Sequence, residues 1–176
     1  MSLYLVEATF AGNVTTTEQF SHITAALQEQ LLEKEVKLLE VQVSKGFERA
    51  FYIFEGELAT IEAGLNHEAI TVELIKQVRL IGKAQEEVTN SEEGLNYLVE
   101  WNLPEHLTMD AYLERKKNNS VHYSEVPEVD FSRTYVCEDM TKCLCFYKAP
   151  DEAAVKRARA AVQAPIDAIT EIWAKE

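Results

Sequence analysis

Three cysteines stand close together, Cys137, Cys143 and Cys145. Cys143 and Cys145 are two apart in a β-forming run, so both thiols project from one strand face. Cys137 sits across a hairpin turn from them. Three thiols on one patch can hold a soft metal ion. As reduced side chains they are better explained as small buried hydrophobes. The histidines are His22, His67, His106 and His122. His22 lies opposite a Phe20/Ile23/Leu27 stripe and reads as solvated, and His67 falls in a loop. His106 and His122 flank one short helix and are the candidate metal ligands, with Ni or Zn the ions their imidazoles suit. No His-x-His or His-x3-His spacing occurs, so only the fold can bring them together, and the expected metal affinity is weak. Glu100, Tyr135, Cys145 and Tyr147 are the candidate ligand-binding residues. Glu100 is an acid within an otherwise apolar strand, and Tyr135 and Cys145 lie on adjacent hairpin strands. Glu7 and Glu100 hold equivalent places in an internal repeat. They can serve as a paired acid and base, or as ion-pair partners of Arg49 and Arg133. Arg115-Lys116-Lys117 reads as the solvated face of a short helix rather than an anion site. No catalytic residue is assigned.

The elements that must position these residues come from an ordinary globular chain. Of 176 residues, 47% are hydrophobic and 27% charged, which excludes a disordered chain. Thirty acidic against 17 basic residues give a net charge of -13, which disfavours nucleic acid and anionic lipid as partners. No apolar run reaches a membrane-span length, and the start of the chain lacks signal-peptide layout. A cytoplasmic protein is expected. P-loop, GxGxxG, GxSxG and HExxH motifs are absent from the sequence. The common nucleotide, hydrolase and zinc-protease readings therefore fall away.

The chain repeats itself. Tyr4-Leu5-Val6-Glu7 recurs as Tyr97-Leu98-Val99-Glu100, an offset of 93. The same offset pairs Thr15 with Thr108, Glu35 with Glu128 and Val43 with Val136, and sets Arg49 on Lys142 and Phe54 on Tyr147. This reads as a tandem duplication: repeat 1 over 1–83, an acidic linker over 84–95 and repeat 2 over 96–176. In the first repeat, strands are expected over Leu3–Phe10, Val36–Ser44 and Arg49–Glu55. A closing strand is expected over Ile70–Ile81, bent near Lys76. Thr15 to Glu18 has the capping-box pattern that opens a helix. Leu58, Ile61 and Leu65 line a second helix. The second repeat follows the same order. Its strands are Asn96–Asn102, Val129–Cys137, Lys142–Lys148 and Ile166–Trp173, its helices open at Thr108 and Pro150, and Val155, Ala158 and Val162 face inward.

Twice βαββαβ is a pair of ferredoxin-like units. Both faces of the central hairpins are apolar, whereas two helices cover only one face of a four-stranded sheet. The expected fold is therefore α+β, with tandem ferredoxin-like repeats packed sheet to sheet as an intrachain pseudo-dimeric α/β barrel.

A resemblance covers the second repeat. It rests on Tyr97-Leu98-Val99-Glu100, Leu107-Thr108, Val129-Asp130-Phe131, Thr134-Tyr135-Val136, Asp139, Lys142 and Cys145. The run Tyr147-Lys148-Ala149-Pro150-Asp151-Glu152-Ala153-Ala154-Val155 and Pro165-Ile166 complete it. This stretch resembles a family of small bacterial ferredoxin-like domains typified by a nickel-binding, nickel-responsive protein. The first repeat keeps the pattern without the Cys and the Ala-Pro, and the loop Asn118–Glu128 is unusual at the mouth of a site. The resemblance implies a domain that pairs through its sheet and a module binding a small molecule or metal ion, as monomer or homodimer. The alternatives are a cofactor-free dimeric-barrel enzyme, such as a small oxygenase or isomerase, and a structural or interaction module.

Overall fold

The computed structural model describes residues 2–89 and 94–174. The first half runs β1 (Leu3–Phe10), α1 (Thr17–Leu32), β2 (Lys37–Val43), β3 (Ala50–Glu55), α2 (Leu58–Gly64) and β4 (Ile70–Ile81). A short helix α3 (Gln85–Thr89) follows and buries Val88. The second half runs β5 (Tyr97–Asn102), α4 (Met109–Asn119), a 3-10 segment (Ser120–Glu125), β6 (Asp130–Cys137), β7 (Lys142–Lys148), α5 (Glu152–Ala161) and β8 (Ala168–Glu171). The chain divides into two compact units between Val78 and Arg79. Residues 90–93 of the acidic linker lie outside the described residues.

Each unit is α+β with an antiparallel four-stranded sheet, ordered β2-β3-β1-β4 in unit 1 and β6-β7-β5-β8 in unit 2. The duplication is visible in the ladder itself. Glu7 pairs with Phe51 in unit 1, and Glu100 with Leu144 in unit 2. The β2–β3 ladder shifts register between Leu38 and Glu40, and the β6–β7 ladder shifts at the same repeat position, between Phe131 and Arg133. A β-bulge re-aims every side chain beyond it, so its repetition is a stricter mark of common origin than residue identity. The two hairpin turns also match. Phe47 and Met140 hold positive φ at equivalent positions, and each donates its N–H three residues back, to Ser44 and Cys137. The offset slips by one residue only in the closing strand, where Tyr4 pairs with Gln77 but Tyr97 with Glu171.

Several elements differ in detail from the expectation. Helix α1 is capped by Thr16 with Gln19, one residue later than the Thr15/Glu18 pair. The Thr16 hydroxyl accepts from Gln19 N–H, and the Gln19 side chain accepts from the Thr16 N–H. β4 runs through Lys76 as one strand. The irregularity in its pairing lies just before Lys76, where Glu7 and Ala8 face Leu74 and Val72. β8 spans Ala168–Glu171, shorter than Ile166–Trp173, because the Asp167 carboxylate and N–H are engaged with β5 at the Asn102 N–H and the Glu100 carbonyl.

Unit 1 packs α1 and α2 onto Val6, Ala8, Tyr52 and Phe54 through Phe20, Leu27, Leu31 and Ile61. Full burial of each such side chain contributes roughly 1.5–3 kcal/mol. Unit 2 packs α4 and α5 onto Val99, Trp101, Cys145 and Tyr147. The opposite sheet faces are buried as well, with Leu5, Phe51 and Ile53 in unit 1 and Leu98, Leu144 and Phe146 in unit 2.

Candidate functional site

Strand parity decides which side chains of unit 2 can meet. On β7, Cys143, Cys145 and Tyr147 share the helix-covered face with Tyr97, Val99 and Trp101 of β5. Helix α4 lies above them. The Thr108 hydroxyl accepts from Ala111 N–H and fixes the helix start. From there Tyr112, Arg115, Lys116 and Asn119 fall at three- and four-residue spacing, on one face. The 3-10 segment adds Ser120 and Tyr123. Helix α5, capped by Asp151 on Ala154 N–H, turns Val155, Ala158 and Arg159 inward.

Between these elements lies a narrow cleft with a cavity volume of about 30 Å³, open to solvent on one side. Trp101, Tyr112, Arg115, Lys116, Tyr123, Cys145, Arg159 and Val162 are among its lining residues. Arg159 is the unexpected member, a guanidinium only 2% exposed. Its Nη1 donates to the Tyr147 hydroxyl at 3.1 Å and to Cys145 Sγ at 3.3 Å, and its Nη2 donates to the Pro165 carbonyl at 2.5 Å. Its Nε is buried without a hydrogen-bond partner. Leaving such a donor unsatisfied costs about 1–3 kcal/mol or more for a charged group. The Tyr123 and Tyr147 hydroxyls meet at 2.6 Å, and Thr134 Oγ1 lies 3.2 Å from Cys145 Sγ.

Two further cations stand at the rim. Arg115 donates to the Gln163 carbonyl at 2.5 Å and lies 5.3 Å from the Trp101 ring centre. Lys116 Nζ lies 4.4 Å from the centre of the Phe131 ring, which stacks on Tyr123. Lys116 is in the last turn of α4 and Arg159 in the last turn of α5. Helix C-termini carry partial negative charge, which helps hold these cations in place.

The electrostatics follow from this setting. Burial pushes the phenols of Tyr112, Tyr123 and Tyr147 up, so they stay protonated. A hydrogen bond from Cys143, then Lys116 and Arg159, hold the Cys145 thiol well below its ordinary range despite its burial. The same hydrogen bond, with burial, pushes Cys143 up. Burial works against the charge of Arg159, but Cys145 and Tyr147 beside it outweigh that and keep it protonated.

The structure divides the residues singled out from the sequence. Cys145 and Tyr147 lie on the helix-covered face, at the cleft. Glu100 and Tyr135 lie on the opposite face, where both oppose Leu144 in the ladder, so the four do not form one site. Glu100 accepts from Lys142 Nζ at 3.0 Å and Glu7 pairs with Arg49 at 2.5 Å, the same ion pair in each repeat. Arg133 instead reaches the Ser132 hydroxyl at 2.8 Å and the Phe146 ring. His106 is exposed, and His122 is exposed with its Nδ1 2.5 Å from Glu125. His67 accepts the Ala69 N–H at 3.0 Å. The Arg115–Lys117 cluster is more than a solvated face, because Arg115 and Lys116 are engaged at the cleft. Arg159, Tyr112 and Tyr123 were not singled out from the sequence. For Arg159 the signal existed, since it is four residues beyond Val155 and so shares its inward face.

Residues 97–172 match the family described as nickel responsive protein SCO4226-like. That match covers less than half of the 176 residues and speaks for unit 2. Among curated proteins no match is found. Among solved structures, the whole chain is similar to a protein assigned as a chlorite dismutase, with a TM-score of 0.57 and 11% identity over 100% of this chain and 96% of that one. It is also similar to a variant chlorite dismutase from Candidatus Nitrospira defluvii, with a TM-score of 0.50 and 11% identity over 97% and 91%. These likenesses show the fold, that of tandem ferredoxin-like units in the dimeric α/β-barrel class, and nothing of the chemistry.

The family's description raises nickel, and the donors present do not fit it. Among the described residues no three His, Cys, Asp or Glu side chains converge as a metal site. The cleft presents guanidinium and ammonium groups, which repel a cation. Among the described residues no helix is long and apolar enough to cross a membrane.

Proposed function

We propose that this protein is a binding module for a small molecule, held in the cleft of unit 2 between α4, α5 and β7. The observation that carries this reading is Arg159, a buried guanidinium with an unsatisfied Nε on the wall of a cleft that reaches solvent. A purely structural core would bury an apolar residue there, since an unpaired buried donor weakens the fold. Polar groups converging beside apolar and aromatic walls are the ordinary composition of a small-ligand site. The similarity to chlorite dismutases carries fold alone and supports no particular reaction.

The test is native mass spectrometry of tag-free protein, beside an Ala164→Trp variant that fills the cleft. A retained small molecule in the parent, absent from a folded variant, supports the reading. Equal occupancy in both removes the cleft as its site. Calorimetric titration with Ni and Zn, on the parent and a His106→Ala/His122→Ala variant, addresses the metal alternative. No saturable binding to the parent is expected. Saturable binding lost in the variant would place a metal site on those histidines instead.

A further inference from the structure

Resting on the reading of the cleft as a ligand site, we infer that its ligand is a small organic anion, with a carboxylate set against Arg159, Arg115 and Lys116 and an apolar body against Trp101 and Val162. The charge of the lining is the first ground. Three of its residues are cationic, and none of its described residues is Asp or Glu. The chain as a whole carries 30 acidic and 17 basic residues, so a cleft of this composition runs against the rest of the surface. Cys145, even as a thiolate, supplies one negative charge against three positive.

The hydrogen bonds are the second ground. The partners of Arg115 and Arg159 are backbone carbonyls, a phenol and a sulfur rather than carboxylates. Lys116 lies over an aromatic ring. Cys145 is the one potential anion facing Lys116 and Arg159, so the three cations keep a net positive charge at the cleft. The Arg159 Nε is buried without an acceptor, and a planar guanidinium matches a carboxylate in shape as well as in charge. The walls set the rest of the ligand. Trp101 and Val162 offer apolar contact, and the cavity itself, about 30 Å³, admits little more than the carboxylate, so the ligand's body rests against these walls at the open side. In unit 1 the groove beside α1 is lined by Glu18 and Glu68 and contains no Lys or Arg, so an anion has no comparable place there.

The probe pair is benzoate and benzamide, which share shape and differ in charge. Calorimetric titration of the full chain is expected to give saturable benzoate binding and benzamide binding at least tenfold weaker. Arg115→Gln and Lys116→Gln lie at the cleft rim, away from the buried core, and each should weaken benzoate at least threefold while leaving benzamide unchanged. Arg159→Gln should weaken it further. If that buried variant does not fold, the two rim variants decide the matter alone. Equal binding of benzoate and benzamide, or benzoate binding indifferent to both rim variants, would overturn the anion while leaving a small-ligand cleft in place. Binding of neither probe would overturn both.

Discussion

The two repeats share a backbone and have diverged in what lies beneath their helices. At the place of Cys145, unit 1 has Tyr52, whose hydroxyl meets Thr24 at 3.1 Å inside an otherwise apolar layer. At the place of Tyr147 it has Phe54, stacked on Tyr52. Helix α2 ends at Gly64, whereas α5 continues to Ala161 and carries Arg159 in the extra turn. By the repeat offset Arg159 falls on Asn66, beyond the end of α2. One extra helical turn and the 3-10 segment after α4 separate a filled core from a cleft. Duplication allows this, because one copy can keep a dry core while the other trades packing for polar groups.

The largest expected effect tests the dry side. Leu27 is fully buried under α1, and Leu27→Ala should cost about 2–5 kcal/mol by urea unfolding. A loss below about 1 kcal/mol would mean that unit 1 is as loosely filled as unit 2. The repeated ion pair comes next. Lys142 is 13% exposed and Arg49 35%. Lys142→Met removes the cation beside the buried Glu100 and should cost about 3 kcal/mol, whereas Arg49→Met, at a wetter site, should cost about 1 kcal/mol. Equal losses would show that the two pairs have not diverged.

The backbone of this account was legible in the sequence, and the site was not. Pairing register follows from side-chain alternation and turn position, both of which survive a duplication even when identity is lost. Tyr4 and Tyr97, Arg49 and Lys142, and Phe54 and Tyr147 therefore pointed correctly to equivalent places. The proposed ligand set failed on parity. Glu100 and Tyr135 project from one sheet face and Cys145 and Tyr147 from the other, and a set chosen by residue type ignores that division. Arg159 went unnoticed because a charged residue on a helix normally reads as solvated. Only its spacing from Val155 betrays the inward direction, and only tertiary packing shows what it meets.

A smaller effect concerns Cys145. Its thiol is held low, so its ionisation adds stability above the ordinary thiol range, near pH 9. That contribution fades as pH falls through the lowered value. The stability difference between the parent and Cys145→Ser should therefore narrow toward acid, measured by urea midpoints across pH. A gap independent of pH would mean that the thiol is not ionised. The smallest effect lies at Gln163, exposed and at positive φ just after α5. Gln163→Gly should add about 0.5–1 kcal/mol, and a loss would show that its side chain is needed where Arg115 meets its carbonyl.

The central claim is that ligand binding belongs to the cleft of unit 2. Amide and side-chain NMR of the full chain during benzoate titration tests it most directly. The account predicts saturable shifts at Tyr112, Lys116, Tyr123, Cys145 and the Arg159 Nε–H, with Thr24, Leu27 and Tyr52 of unit 1 unmoved. Shifts centred on the unit 1 groove between Gly12 and Ile23, or none at Arg159, would contradict it.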